Sequence, residues 1–273
     1  MTSTTYQLLE FATPELSIVI PAYNEQERIG RTLDSIASFL AERSVHCEVI
    51  VIDDGSTDDT GAIVELRQHE FVSLRLLRCE RNGGKGRAVR LGMMIARGRV
   101  RLFMDADNST DIREFERLND TAASHTTLPD VVIASISTPG SQVEGTQPLT
   151  RTVLGRMGSA LVQRTVLPGI HDTQRGFKLF TAEAADAIFS RCRINGWGFD
   201  IEVLAIARTL GFHILEVPVR WHHEEDSRVG AGAYLTTLID VARVRRLVRK
   251  TRRNAGPGSS RQDADTSHGL RVG

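Results

Sequence analysis

The sequence has few cysteines, few aromatic residues, no net charge and no long apolar run. Its 273 residues include three cysteines, aromatic residues make up 5% of the chain, and 34 basic residues balance 34 acidic ones. The cysteines are far apart and form no CxxC pair or Cys/His cluster, so we expect reduced, buried thiols instead of a disulfide framework or a zinc site. No run of about 18 apolar residues is present, so we expect no transmembrane helix. The N-terminal residues lack the features of a secretory signal.

The balanced charge hides a basic segment near the C-terminal end. Residues 241–253 hold seven basic and no acidic residues, whereas residues 1–240 hold 25 basic and 32 acidic residues. We expect no nucleic-acid partner, because a nucleic-acid-binding protein is expected to have a basic surface. Residues 233–253 combine apolar and basic residues, a pattern typical of an amphipathic helix on an anionic membrane surface. A packed helix with a solvated basic face is the alternative.

The first half of the chain alternates short apolar runs with helical patterns. This alternation predicts βαβ units, and therefore an α/β fold with a mainly parallel sheet flanked by helices. Ser56 or Thr57 is expected to cap the helix after the second strand. The predicted strands are 16–22, 48–52, 74–77, 100–104 and 131–134, and the predicted helices are 27–42, 86–96 and 111–123.

The second half is less regular. Residues 136–149 are rich in Ser, Thr, Pro and Gly and indicate a flexible loop. Beyond it we predict helices over 150–166 and 199–210 and a strand over 213–219. Residues 254–273 are polar and rich in Gly and Ser, which is typical of disorder.

Polar clusters directly follow three of the predicted strands: Tyr23-Asn24-Glu25, Asp53-Asp54 and Asp105-Ala106-Asp107. Ligands of such sheets bind outside the carboxyl ends of the strands, so these clusters should share one edge. On a continuing strand Asp105 and Asp107 would point to the same side. Paired carboxylates suit Mg²⁺ or Mn²⁺, which often complete their shell with phosphate oxygens. A solvated turn is the alternative for this pair, and a turn with a helix cap for Asp53-Asp54.

Two further segments hold candidate residues. Arg81–Gly86 is rich in glycine but has neither the Walker A nor the GxGxxG spacing. Its backbone N–H groups and Lys85 could still approach an anion at a helix N-terminus, although a plain loop has the same composition. Asp200 and Glu202 begin a predicted helix, where acids are favourable for dipole reasons alone.

Taken together, these segments resemble the inverting family 2 glycosyltransferases of GT-A fold. Among them the chain most resembles the dolichyl- and polyprenyl-phosphate β-glucosyltransferases, followed by the polyprenyl-phosphate mannose synthases. The resemblance spans roughly residues 16–250. It is carried by the segments Ile18–Ile29, Val51–Thr60, Arg81–Met93, Phe103–Thr110, Asp172–Phe180, Trp197–Leu204 and Val217–Arg228.

The resemblance implies a role for each matching residue. Mg²⁺ or Mn²⁺ would be held by Asp105 and Asp107, with Ala106 between them. Arg228 would lie near the phosphates, and Asp172 and Asp200 on the acceptor side. The remaining donor-site candidates, partly from the motifs above, are Pro21, Tyr23, Glu25, Asp53, Asp54 and Lys85. One position departs from the family: Ile136 stands where an arginine is usual, and Arg151 or Arg156 are candidate substitutes.

The implied activity is transfer of a sugar, with inversion, from a nucleoside-diphosphate sugar to a polyprenyl or dolichyl phosphate, and UDP-glucose is the expected donor. Within the same family, the alternatives are a GDP-mannose donor or a soluble hydroxyl acceptor, for which Asp200 would be the general base with Asp172 behind it. Outside the family, the alternatives are a non-catalytic nucleotide-sugar-binding protein and a nucleotidyltransferase. We expect a cytoplasmic protein, with peripheral contact at the inner face of the membrane as its one route to a lipid.

On this basis we divide the chain into segments, of which the second and third form one domain. They are an N-terminal extension (1–15), a nucleotide-sugar-binding half (16–135), an acceptor-binding half (136–232), a basic amphipathic helix (233–253) and a disordered tail (254–273).

Overall fold

The computed structural model describes residues 13–145, 158–222 and 239–246. Expectations for residues 1–12, 146–157, 223–238 and 247–273, and with them Arg151, Arg156 and Arg228, lie outside the described residues. The strands are β1 (Leu16–Ala22), β2 (Cys47–Asp53), β3 (Leu74–Arg78), β4 (Val100–Met104), β5 (Val131–Ser135), β6 (Gln142–Glu144), β7 (Phe177–Thr181), β8 (Ile214–Pro218) and β9 (Arg220–His222). The helices are α1 (Ile29–Ala41), α2 (Thr60–Arg67), α3 (Lys85–Ile95), α4 (Glu114–Ala123), α5 (158–165), α6 (Ala182–Phe189), α7 (Phe199–Thr209) and α8 (239–246), with a 3₁₀ turn at Gln68–Glu70.

Seven strands form one sheet in the order β3-β2-β1-β4-β7-β5-β8, and β6 and β9 form a small parallel pair. All neighbours in the large sheet are parallel except β7, which runs antiparallel to β4 and β5. The predicted α/β class with a mainly parallel sheet is therefore confirmed. Because β7 is reversed, its first residue lies at the edge where the other strands end.

Helices cover both faces of this sheet, so the strands between them are buried on both sides. One apolar core packs α1, α2 and α4 against the sheet, and the other packs α3, α5, α6, α7 and α8 against the opposite face. Every residue of β1, β2, β4, β5 and β7 is buried. Near-continuous apolar runs are what a strand buried on both faces requires.

Helix α8 lies on the second core through Val241 and Val244, while Arg243, Arg245 and Arg246 are exposed. Within residues 239–246 the arrangement is the one expected of a packed helix with a solvated basic face. Membrane contact by the wider basic segment stays a prediction. No helix among the described residues combines the length and the apolarity needed to cross a bilayer.

The predicted strands agree with the structure to within one residue at each end, and the helices over 27–42, 86–96 and 199–210 to within two. The helix predicted over 111–123 begins at Glu114, because Asp111 accepts the backbone N–H of Arg113 at 2.8 Å in a local turn. All three cysteines are free; Cys47 and Cys192 are buried and Cys79 is half-buried. Burial raises the pKa of the Cys47 and Cys192 thiols.

Two local expectations are wrong. Ser56 and Thr57 do not cap α2, which begins at Thr60; Ser56 Oγ instead accepts the backbone N–H of Asn24 at 2.9 Å. The loop expected over 136–149 contains β6, because the chain after β8 continues as β9 and supplies a partner strand. Neither partner is close in sequence, so local composition did not reveal the contact.

A buried carboxylate joins the amino ends of β1 and β2. Glu48 accepts hydrogen bonds from Ser17 Oγ (2.6 Å), Arg97 N (2.6 Å) and Arg75 Nη2 (2.8 Å). Burial acts to raise the pKa of Glu48, but these hydrogen bonds and the two arginine charges outweigh it and hold the pKa below its usual value. Glu48 is therefore a charged structural group at the edge opposite the polar clusters.

Replacing Glu48 by glutamine is expected to lower the free energy of unfolding by about 2 kcal/mol at neutral pH, because hydrogen bonds to a charge are lost. A group with a depressed native pKa stabilises above its unfolded pKa of about 4.3, and this stabilisation is lost as the pH falls through the native value. The deficit of Glu48→Gln should therefore shrink below about pH 4. Urea unfolding across pH measures it, with Glu65→Gln, at an exposed ion pair, as the control.

Candidate active site

The polar clusters meet at one edge of the sheet, as the sequence predicts. In the parallel pair β1–β2, Ala22 lies beside Asp53, and in the antiparallel pair β4–β7, Met104 lies beside Phe177. The segments that follow β1, β2 and β4 and the segment that precedes β7 therefore converge. The reversed strand brings residues 172–176 to the predicted site, which no local pattern showed.

Asp54 shapes the Gly-rich segment. It is buried, and its Oδ2 accepts the backbone N–H groups of Gly83 (2.9 Å) and Gly84 (2.7 Å), while Oδ1 lies 3.4 Å from Arg87. Burial raises the pKa of Asp54, and these contacts oppose the rise. Gly84 has φ 96°, a conformation that favours glycine, and an added Cβ there would lie 2.5 Å from the carbonyl oxygen of Asn195.

The neighbouring acid, Asp53, is also engaged. Its Oδ1 accepts the backbone N–H of Ser56 at 2.8 Å, and its Oδ2 lies 3.4 Å from Arg78 Nε. Both acids of this cluster thus order loops around the expected nucleotide position. Binding of a nucleotide by either acid stays a prediction.

The loop after β1 holds three other donor-site candidates. Pro21 lies within β1, and Tyr23, which follows it at the site edge, is 39% exposed as a residue. Glu25 forms a two-point ion pair with Arg28, with Nε–Oε2 at 2.6 Å and Nη2–Oε1 at 2.8 Å. That pair fixes the start of α1. The exposed ring of Tyr23 is consistent with a contact to a planar ligand.

Lys85 and Asp105 form an ion pair at the centre of the edge, with Nζ 2.6 Å from Oδ1. The ammonium also lies over the rings of Phe103 (5.6 Å) and Trp197 (5.2 Å). Burial acts to lower the pKa of Lys85, but the carboxylates around it, with Asp105 first, produce a net rise. The Gly-rich segment therefore delivers a charged lysine to the acidic cluster.

The geometry expected of Asp105 and Asp107 is corrected in one respect. Strand β4 ends at Met104, so the two acids lie in a turn and not on alternate positions of a strand. Ala106 between them is buried, and its carbonyl accepts Thr32 Oγ1 at 2.6 Å. Asn108 has φ 57°, and Asp107 Oδ1 accepts the backbone N–H of Ser109 at 2.9 Å, which closes the turn.

The residues present suit a divalent cation. Oδ1 of Asp105 accepts no hydrogen bond of normal geometry from the described residues, although Lys85 lies beside it. Asp105, Asp107 and Asp200 are three carboxylates, and the ammonium groups paired with them are two, Lys85 with Asp105 and Lys178 with Asp200. Among the described residues no group of three or more His, Cys, Asp or Glu side chains could hold a metal by itself. Two carboxylates with ligand phosphates completing the shell are the fitting arrangement.

Gly176 packs directly behind the carboxylate of Asp105. Its carbonyl accepts the backbone N–H of Asp105 at 2.9 Å. A Cβ added to Gly176 would lie 2.0–2.2 Å from the carboxylate atoms of Asp105, far inside van der Waals contact. The position of the Asp105 carboxylate therefore depends on the absence of a side chain at residue 176.

Asp200 forms a buried ion pair with Lys178. The Lys178 Nζ–Asp200 Oδ1 distance is 2.5 Å, both side chains are at most 4% exposed, and Lys178 also donates to the carbonyl of Arg175. Burial raises the pKa of Asp200, while Lys178 and Lys85 act to lower it. Asp200 thus lies at the site as expected, already paired with a cation.

Asp172 is buried and anchors the segment that precedes β7. Its Oδ2 accepts Arg175 Nε (3.0 Å) and the backbone N–H of Ile136 (3.2 Å), and its Oδ1 accepts that of Gln174 (3.3 Å). This contact joins the end of β5 to residues 172–176. Glu202, by contrast, accepts the N–H groups of Arg193 and Ile194 at 2.9 and 2.8 Å, which is a structural role.

Sequence reasoning missed Arg175, Gly176 and Lys178 as site residues. They lie within the matched segment Asp172–Phe180. Gly176 and Lys178 matter through partners distant in the chain, and Arg175 contacts the distant ring of Trp221 besides its neighbour Asp172. A glycine that must lie behind a carboxylate and a lysine that must pair with Asp200 have no local periodic signal.

Comparison with known proteins identifies relatives of this chain. The family model described as Glycosyl transferase family 2 matches residues 17–189. A dolichyl-phosphate beta-glucosyltransferase of Dictyostelium discoideum is 35% identical over 240 residues, which cover 84% of this chain and 73% of that protein. A Mus musculus protein of the same description is 37% identical over 227 residues, which cover 80% and 70% of the two chains.

A solved structure shares the fold at lower identity. Glucosyl-3-phosphoglycerate synthase from Mycobacterium tuberculosis, crystallised with Mn²⁺ and UDP-glucose, aligns with a TM-score of 0.64 and 22% identity. The alignment covers 86% of this chain and 79% of that one. The GT-A fold expected from the resemblance is therefore confirmed.

Proposed function

The chain belongs to glycosyl transferase family 2, and we propose that it transfers glucose from UDP-glucose to a polyprenyl phosphate such as dolichyl phosphate. The relatives described above are dolichyl-phosphate beta-glucosyltransferases, and their alignments cover most of this chain. UDP-glucose is also the ligand of the structural neighbour. The described edge offers the acids, the lysine and the Gly-rich loop that a nucleoside-diphosphate sugar requires.

For the donor, we propose that Asp105 and Asp107 hold Mg²⁺ or Mn²⁺ on the diphosphate. When bound, such an ion neutralises charge on the departing nucleoside diphosphate. Lys85, beside Asp105, is placed to add a second positive charge to the same phosphates. The loop held by Asp54 fixes the backbone from which Lys85 extends, and Gly176 keeps the Asp105 carboxylate in position.

The pairing of Asp200 with Lys178 is the observation that favours a phosphate acceptor over a hydroxyl acceptor. A hydroxyl acceptor needs a general base, which must reach the hydroxyl proton. Asp200 is 3% exposed and lies 2.5 Å from an ammonium group, and Asp172 already accepts three hydrogen bonds. A phosphate is ionised near neutral pH and needs no such base. The two acids expected on the acceptor side therefore suit a phosphate better than a hydroxyl.

The test is nucleotide release by the full-length protein with Mn²⁺, from UDP-glucose or GDP-mannose, in the presence of dolichyl phosphate, phosphoglyceric acid or neither. We expect acceptor-dependent UDP release with UDP-glucose and dolichyl phosphate, and its loss in EDTA. Release that depends on phosphoglyceric acid would instead identify a soluble acceptor. GDP release would identify the mannosyl donor, and no release from either donor would contradict transferase activity.

A further inference from the structure

We propose that Arg175 binds the phosphate group of the lipid acceptor. This inference rests on the proposed function and assigns a residue to the acceptor end of the site. Arg175 lies in the segment between Asp172 and β7, one residue before Gly176, whose carbonyl accepts the backbone N–H of Asp105. The backbone of Arg175 therefore lies next to the turn that carries the acids expected to bind the donor metal.

Two contacts fix the guanidinium of Arg175. Its Nε donates to Asp172 Oδ2 at 3.0 Å, and its Cζ lies 4.8 Å from the ring centroid of Trp221. Trp221 is itself buried in β9. A hydrogen bond of 2.9 Å from His222 N to Ser109 O joins β9 to the turn that carries Asp105 and Asp107. The side chain is thus preorganised, which lowers the entropy cost of binding a ligand.

The terminal nitrogens of Arg175 are available for an anion. Neither Nη1 nor Nη2 donates a hydrogen bond to any residue in the described ranges, and the side chain is 25% exposed. A guanidinium presents its N–H groups in a planar fork that matches phosphate oxygens. Because Asp172 takes only the Nε–H, the terminal N–H groups remain available to a second partner.

The position of Arg175 in the sheet favours the acceptor over the donor. The Gly-rich loop, Asp54 and Lys85 lie beside β1, β2 and α3, on one side of β4. Arg175 lies on the other side, where β7, β5 and β9 meet. The backbone N–H of Ile136, after β5, and the Nε–H of Arg175 both donate to Asp172 Oδ2, so the backbone of residue 136 lies beside Arg175.

The decisive variant is Arg175→Met, which keeps an unbranched side chain against Trp221 but removes the charge. We expect the apparent KM for dolichyl phosphate to rise about 10- to 100-fold, the effect of losing a charge-assisted hydrogen bond. The KM for UDP-glucose should stay within about twofold of that of the unmodified protein. Arg175→Lys should show an intermediate KM, because a lysine keeps the charge but loses the fork.

The matched control is Arg43→Met. Arg43 also pairs with a carboxylate, Glu116, at 2.8 Å from Nε and stacks on a ring, that of Phe39, at 4.1 Å, but it lies away from the site. Its loss should leave the KM for dolichyl phosphate unchanged. A gain-of-charge variant, Ile136→Arg added to Arg175→Met, should recover part of the lost acceptor affinity, which a purely structural role of Arg175 would not allow.

A binding measurement separates this inference from the proposed function. It compares how much dolichyl phosphate and how much dolichol, each in detergent micelles, the protein loaded with UDP and Mn²⁺ retains. Preferential retention of the phosphate form, lost in Arg175→Met, supports the role of Arg175 even if no glucose is transferred. The role of Arg175 would be overturned by equal retention of dolichyl phosphate in the unmodified protein and in Arg175→Met. An unchanged KM for dolichyl phosphate in Arg175→Met, or a rise confined to the KM for UDP-glucose, would also overturn it.

Discussion

Asparagine in place of Asp105 or Asp107 is expected to reduce glucosyl transfer about 10³-fold, with the fold retained. Each substitution removes one of the two carboxylates available to a divalent cation at the edge of the sheet. Asp105 also faces Lys85 at 2.6 Å, so its loss leaves that ammonium without its nearest counter-charge. Transfer rates at saturating UDP-glucose, measured over a range of Mn²⁺ concentrations, test the effect, and circular dichroism monitors the fold.

The control for both substitutions is Asp120→Asn, on the exposed side of α4. It should leave the rate within about twofold and the Mn²⁺ dependence unchanged. Full activity of Asp105→Asn or Asp107→Asn, or full activity of the unmodified protein in EDTA, would show that these acids do not hold an essential metal.

Alanine at Gly176 is expected to reduce transfer about 10²-fold while costing little stability. The added Cβ would overlap the Asp105 carboxylate at 2.0–2.2 Å, and the end of that side chain can move more easily than the backbone around it. A displacement of about 1 Å at a reacting centre is enough for a loss of this size. The rate and the midpoint of thermal unfolding, measured on the same sample, separate misplacement from unfolding.

Gly158→Ala in α5 is the matched control for Gly176→Ala. A Cβ at Gly158 meets nothing within 4 Å, and alanine is favoured over glycine inside a helix. It should keep full activity with an equal or higher unfolding midpoint. Wild-type activity of Gly176→Ala would contradict the account of how Asp105 is positioned, and a collapse of the unfolding midpoint would show that Gly176 serves folding instead.

Six of the seven strands of the large sheet were predictable because their signal is local. Strands such as β1 and β4 are short apolar runs buried on both faces, and a polar residue directly marks where each ends. The convergence of the clusters after them followed from parallel pairing alone. The family resemblance added Asp172 and Asp200 to the predicted site, and both lie at the same edge of the sheet in the structure.

The rest depended on contacts between distant parts of the chain. Strand β7 was not among the predicted strands; it runs antiparallel to both of its neighbours, and it carries Lys178, which pairs with Asp200. The need for glycine at residue 176 arises from a carboxylate 71 positions earlier. Helix α2 lacks the expected cap because Ser56 is recruited by Asn24. Such pairings come from tertiary packing, which composition and periodicity do not encode.

In the proposed reaction, glucose passes from UDP-glucose to a lipid phosphate at a metal site formed by Asp105 and Asp107. Its most direct test supplies UDP-glucose labelled in the sugar, Mn²⁺, and dolichyl phosphate together with phosphoglyceric acid, and then separates organic from aqueous products. Label is expected in the organic phase, but not with EDTA and not when dolichol replaces dolichyl phosphate. Label recovered in phosphoglyceric acid, or label in the lipid that persists in EDTA, would contradict it.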